Sequence, residues 1–212
     1  MSTAREGILG RIKSVMPDNN NRQRMVDQRI NQPPELIRPQ INDSHLVQFR
    51  EKLELGGGEL ILAESSQQAT SIIESFIDDN NFPAKLKIAP ALQQLSWSSH
   101  IETSYGRSDG DDLVSVTPAF CAIAETGSVV LLSSPGSPTS LNFLPDVHFV
   151  LVYASQLVAH IEDAWTKLRK QPAIPRTVNL ITGPSKTADV EQTLQIGAHG
   201  PRQLKVILIQ QE

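Results

Sequence analysis

The chain has 212 residues, 39% of them hydrophobic and 20% charged, with a formal net charge of -4. That length can bury a sizeable core in one domain with room for an N-terminal extension, and the acidic balance without a dense Lys/Arg cluster argues against a nucleic-acid binder. The single cysteine, Cys121, excludes a disulfide framework, an iron–sulfur cluster or an all-cysteine zinc site held within these residues, and no apolar run approaches the ~20 residues of a membrane span.

Residues 1–20 lack a hydrophobic leader segment, so a cytoplasmic location is the expectation. Ile8, Ile12 and Val15 recur at helical spacing within residues 4–15. Asp18 to Asn21 reads as a polar break. Residues 22–41, with Pro33, Pro34 and Pro39, read as a linker. Residues 1–42 thus form a helix and an arm, and 16–41 are expected to make few contacts with the core.

The globular domain is expected over 43–212. Leu46, Phe49 and Leu53 set a helix stripe that Gly56-Gly57-Gly58 stops. Glu59–Ala63 reads as a strand. Residues 67–79 read as a helix, with Ile72, Ile73, Phe76 and Ile77 inward, and Leu86–Ala89 as the next strand. Further strands read at 101–105, 128–133, 147–153, 177–182 and 204–210, with helices at 155–170 and 187–197. Strands such as Val129–Leu132 and Phe149–Val152 are apolar at every position, as strands buried on both faces are. The alternation gives an α/β fold with a mostly parallel sheet and helices on both faces.

Two segments sit where loops meet strand ends, the usual place for ligands in such folds. In the first, a strand runs into Gly183-Pro184 and a helix is expected to open near Thr187. The free amides of that first turn, with Ser185, Lys186 and Thr187, would form an anion pocket. Asp189 and Glu191 partly cancel the positive helix end, and the same residues serve as an ordinary helix start. In the second, Glu125-Thr126-Gly127-Ser128, the carboxylate is a candidate general base, nucleophile or hydroxyl acceptor. Capping of neighbouring amides is the alternative. Ser134 to Thr139 reads as a turn whose small residues would let a ligand approach closely, or as a rigid connection.

The histidines are scattered. His45, His100 and His160 have no partners at metal-ligand spacing, and His148 opens a strand. His199, pinned between Gly197 and Pro201, is the candidate functional histidine. No metal site is expected, because three convergent ligands are needed. Cys121, four residues before Glu125 on an expected helix, reads as a small buried hydrophobe.

These segments in this order resemble the LUD domain of bacterial lactate-utilisation proteins, in its short LutC-type form. The carrying residues are Val116-Thr117, Ala122 to Ser128, Leu144-Pro145-Asp146-Val147-His148, Thr182 to Glu191 and Gly197-Ala198-His199-Gly200-Pro201. Position 128 is more often Thr in this pattern; Ser keeps the hydroxyl. The resemblance implies a fold like the superfamily of CoA transferases, ribose-5-phosphate isomerase and formyltetrahydrofolate cyclo-ligase. It implies a role as a subunit of a system that oxidises L-lactate to pyruvate, with the iron–sulfur clusters on partner subunits and a small anionic ligand here. It identifies no cofactor and no catalytic mechanism for this subunit. The alternative is a stand-alone enzyme of that superfamily acting on a phosphorylated, CoA-linked or folate-like anion. No Gly-x-Gly-x-x-Gly fingerprint follows a strand, which argues against direct nicotinamide chemistry.

Overall fold

The computed structural model describes residues 3–16, 19–31, 38–41, 44–188, 194–197 and 199–211. The chain divides into two units, Met1–Arg38 and Pro39–Glu212. The first holds helices α1 (Thr3–Val15) and α2 (Asn19–Asn31). α2 occupies part of the stretch read as break and linker. Its Arg, Gln and Met residues are good helix formers, and Gln23 donates to Asp27 one turn on at 3.0 Å. That support needs no apolar stripe.

The second unit opens with α3 (His45–Leu55), whose Ser44 cap accepts from the Val47 amide. Phe49 and Leu53 are fully buried, contributing about 1.5–3 kcal/mol each. Gly57, at φ 89°, turns the chain out of the helix. There follow β1 (Glu59–Ala63), α4 (Ser66–Asp79), β2 (Lys85–Ile88), β3 (Glu102–Tyr105), β4 (Val114–Pro118), β5 (Cys121–Ile123), β6 (Ser128–Leu132), β7 (Val147–Tyr153) and β8 (Leu157–Val158). Then come α5 (Ile161–Arg169), β9 (Val178–Ile181), β10 (Lys186–Ala188), β11 (Leu194–Ile196) and β12 (Gln203–Ile209).

Six strands form a wholly parallel sheet in the order β1-β12-β7-β4-β2-β3. One face packs Val116, Phe149, Leu151 and Ile207 against Ala69, Ile73 and Ile77 of α4. The other packs Val150, Val152, Val206 and Leu208 against Phe49 and Leu53 of α3 and against Val129 and Leu131 of β6. The α/β reading with helices on both faces therefore holds. Lys205 on β12 is nearly buried. Its ammonium pairs with Glu59 and lies 4.7 Å from the centre of the Phe76 ring, which offsets the cost of burying the charge.

Four details differ from the sequence reading. First, the strands expected at 128–133 and 177–182 belong to a separate sheet, ordered β8-β5-β6-β9, in which β6 runs antiparallel to both neighbours. Val129 and Leu131 face the central core while Val130 faces Ala164 of α5. Burial on both faces makes such a strand apolar whatever its direction. Second, within the stretch expected as a helix over 187–197, the described residues form the antiparallel strands β10 and β11, with Thr187 opposite Gln195. Thr187 in β10 and Ile196 in β11 are β-branched, which favours strand.

Third, the 155–170 helix begins only at Ile161, where Asp163 accepts from the His160 amide; Leu157 and Val158 pair with β5 instead. Cys121 likewise lies in a strand, not a helix. Fourth, the central strand β4 has no counterpart among the expected strands. Its alternating Ser115 and Thr117 hide the pattern, and both find buried partners: Ser115 donates to Leu141 O at 2.7 Å and Thr117 Oγ1 lies 2.7 Å from His148 Nε2.

Candidate functional site

β5 and β9 end, and β6 begins, at one end of the four-stranded sheet, with Ile123 opposite Ser128 and Val129 opposite Ile181. The Glu125–Ser128 turn and the loop after Ile181 are therefore neighbours. Both close onto the C-terminal end of α3. A Cβ on Gly127 would lie 2.2 Å from Leu53 N, and one on Gly183 would lie 2.3 Å from Gly56 O. Only glycine permits these approaches at the positive φ of 68° and 148°. Lys186 Nζ donates to Gly56 O at 2.8 Å, satisfying a carbonyl at the helix end. A chain of hydroxyls joins the two loops: Thr126 Oγ1 to Ser128 Oγ at 2.7 Å, and Ser128 Oγ to Thr182 Oγ1 at 2.6 Å.

Glu125 has found the partners its position demanded. Its Oε2 accepts from the Ile161 amide at 3.2 Å and lies 3.3 Å from His160 Nδ1. Its own amide donates to Ala159 O. The carboxylate thus sits at the N-terminus of α5, where the helix dipole favours it. His160, 35 residues away in sequence, was not legible as its partner.

Beyond Thr182 lies a cleft of about 300 Å³, walled by Asn142, Phe143, His148, Thr182, Gly183, Ser185, His199 and Gly200 among others. Ser185 N donates to Pro201 O at 2.8 Å and Gly197 N to Ser185 O at 2.9 Å, which knits the two loops together. Of the residues singled out in the sequence, Gly183, Ser185 and His199 meet here. Thr126 and Ser128 connect to the cleft through the hydroxyl chain. Glu125 and Gly127 stand behind it, and Pro184 and Lys186 turn toward α3. Thr187 lies in β10 rather than at a helix start, so no helix opens there to hold an anion. Asp189 lies outside the described residues. The cleft follows the carboxyl end of β9 but sits at the amino ends of β7 and β12, where His148 and Leu204 are the second residues. A carboxyl-end site on the parallel sheet was the expectation, and the loop's attachment to the second sheet is what moves it.

Asn142 and His148, both in the cleft wall, were not among the sequence candidates. His148 is fully buried, and its Nδ1 has no hydrogen-bond partner. Burial pushes its pKa down to about 3, so the ring is neutral at physiological pH. Asn142 is buried with Oδ1 unpartnered. Buried polar atoms are nearly always paired, so these two orphans leave the cleft wall with unused hydrogen-bonding capacity. The sequence signal was a histidine inside the otherwise apolar run Val147–Val152. Among the described residues no carboxylate lines the cleft, and its hydroxyls, amide and imidazoles suit a small hydroxylated anion. Among the described residues no group of three or more His, Cys, Asp and Glu could hold a metal, and no helix is long and apolar enough to cross a membrane.

The family model of the LUD domain matches residues 112–209. The chain carries a LUD domain. The match spans β4 to β12 and contains every residue of the cleft. Over 163 residues the chain is 34% identical to an uncharacterised protein of Neisseria meningitidis serogroup B, covering 76% of this chain and 65% of that one. It is 30% identical over 162 residues to lactate utilization protein C of Geobacillus thermodenitrificans, covering 73% and 63%. With lactate utilization protein C of Bacillus subtilis it shares 36% over 100 residues, covering 45% and 42%. The matched stretch thus spans less than two thirds of each of these relatives' length. A crystal structure of a DUF162 family protein from Deinococcus radiodurans has the same fold, with a TM-score of 0.56 at 20% identity over 81% of this chain and 99% of that one.

Proposed function

We propose that this LUD-domain protein serves lactate utilisation, as a subunit of a system that oxidises L-lactate to pyruvate. The observation that carries the reading is the kinship with lactate utilization protein C across the residues that build the cleft. Oxidation of lactate releases two electrons and two protons. With one cysteine in the chain, the electrons pass to iron–sulfur clusters on partner subunits. The cleft would hold a small hydroxy acid or its keto product. Ser185 and Thr182 would donate to the carboxylate, and the orphaned Asn142 Oδ1 would accept from the ligand hydroxyl. His148, neutral at physiological pH, would offer Nδ1 as a hydrogen-bond partner to the ligand. Glu125, spent on the α5 cap and absent from the cleft wall, is a positioning residue in this reading.

The test is genetic and then biochemical. Deleting the gene should abolish growth on L-lactate and spare growth on pyruvate. Purified protein should support lactate-dependent dye reduction only when its partners are added. Normal growth of the deletion strain on lactate would overturn the lactate reading. Turnover by the purified chain alone would overturn the subunit reading.

A further inference from the structure

A second and larger cleft lies at the other end of β9. Its volume is about 800 Å³, within the roughly 300–1,000 Å³ of sites for cofactor-sized ligands. Gly106 and Arg107 enter it directly after the carboxyl end of β3, the outermost strand of the parallel sheet, and Thr177 directly before the amino end of β9. It is therefore at a carboxyl-end position, where open parallel sheets receive ligands, unlike the cleft that holds His148.

Its chemistry is one-sided. Arg107 and Arg176 both line it, and among the described residues no Asp or Glu does. Both guanidiniums are exposed, and neither makes a hydrogen bond or ion pair with any described residue. The hydroxyls between them are oriented. Ser133 Oγ accepts from the Thr177 amide at 2.8 Å, and Ser140 Oγ accepts from the Ser108 amide at 3.0 Å. Each hydroxyl, having accepted a backbone N–H, keeps its own hydrogen to donate. The loop that carries Ser134 and Thr139 is tied down: Ser134 and Ser137 exchange backbone bonds, and Gly136 O accepts from Ala91 N at 2.9 Å. This is the turn whose small residues the sequence marked as open to ligand approach.

We propose that this cleft binds a phosphate-bearing small molecule. Two unpaired guanidinium forks with fixed hydroxyl donors match the several acceptor oxygens of a phosphoryl or diphosphate group, which a fork engages with two parallel bonds. The volume exceeds what lactate needs and leaves room for the organic body that carries the phosphate. The site is separate from the lactate cleft and does not depend on that reading. The Thr139–Asn142 turn is nonetheless a wall of both, with Thr139 and Ser140 on this side and Asn142 on the other.

The experiment is calorimetric titration of the full chain with pyrophosphate, ADP, adenosine and succinate, at about 0.15 M ionic strength so that non-specific charge attraction is screened beyond about 8 Å. Pyrophosphate and ADP should bind. R107A and R176A should each weaken ADP by at least about tenfold, and R176K should recover only part of that loss. Both arginines are exposed, and unchanged melting temperatures of the variants would confirm intact folding. Failure of both phosphate probes to bind, binding untouched by either alanine variant, or succinate binding as tightly as pyrophosphate would each overturn the proposal. The readout is binding alone, so it fails or succeeds independently of any lactate assay.

Discussion

His148 is neutral because a fully buried imidazolium would have no counter-charge, and its pKa falls from 6.5 to about 3. The sign follows from linkage. The unfolded chain takes a proton below pH 6.5 and the folded chain does not. This group's contribution is fully present above 6.5 and is lost as pH falls toward 3. We expect the His148 ring to show no titration in NMR between about pH 5 and pH 8. Wild type should lose more stability on acidification than His148→Gln, measured by urea unfolding at several pH values. Cys121 is shifted the other way: burial raises its pKa to about 11, against an opposing pull from Lys167. The native protein should therefore be inert to a thiol reagent at neutral pH and yield its one thiol only after denaturation. For Glu125, the cap predicts that Glu125→Ala costs about 1 kcal/mol and Glu125→Gln somewhat less, read from urea unfolding. Loss of lactate-dependent activity in Glu125→Gln at unchanged stability would instead make it a catalytic residue.

At the level of elements, the C-terminal end of α3 organises the site. Gly56 and Gly57 end the helix, Lys186 ties to the Gly56 carbonyl, and the Gly127 and Gly183 turns close onto the helix. Gly127→Ala and Gly183→Ala should each destabilise the domain by about 2–4 kcal/mol, because both add a Cβ onto backbone atoms at positive φ. Gly7→Ala in α1 is the control. Its Cβ meets nothing within 4 Å, and the change should raise helix content by circular dichroism through a propensity gain of about 1 kcal/mol. Lys186→Met should loosen the same junction without touching the cleft wall.

Across the second unit, β9 joins the two clefts: Thr177 at its start lines the arginine cleft and Thr182 just past its end lines the His148 cleft. The sequence by itself determined the elements whose cause is local. The Leu46, Phe49, Leu53 stripe, the glycine stop of α3, and the apolar runs of β1, β7 and β12 were legible because periodicity and capping act within a few residues. The meeting of Gly183, Ser185 and His199 was legible because each lies at an element boundary, as were the segments that carry the LUD resemblance. Tertiary structure alone decided which strands share a sheet, since Val129–Leu132 is buried on both sides in either arrangement. It also decided that Lys186–Ala188 and Leu194–Ile196 pair as strands, and that Ser115 and Thr117 are carried in the core by Leu141 and His148. It paired Glu125 with His160, and it brought Arg107 and Arg176, 69 positions apart, to the wall of one cleft. Those outcomes rest on partners distant in the chain, and a polar group's fate is set by what the fold places within hydrogen-bond reach, which no local pattern encodes.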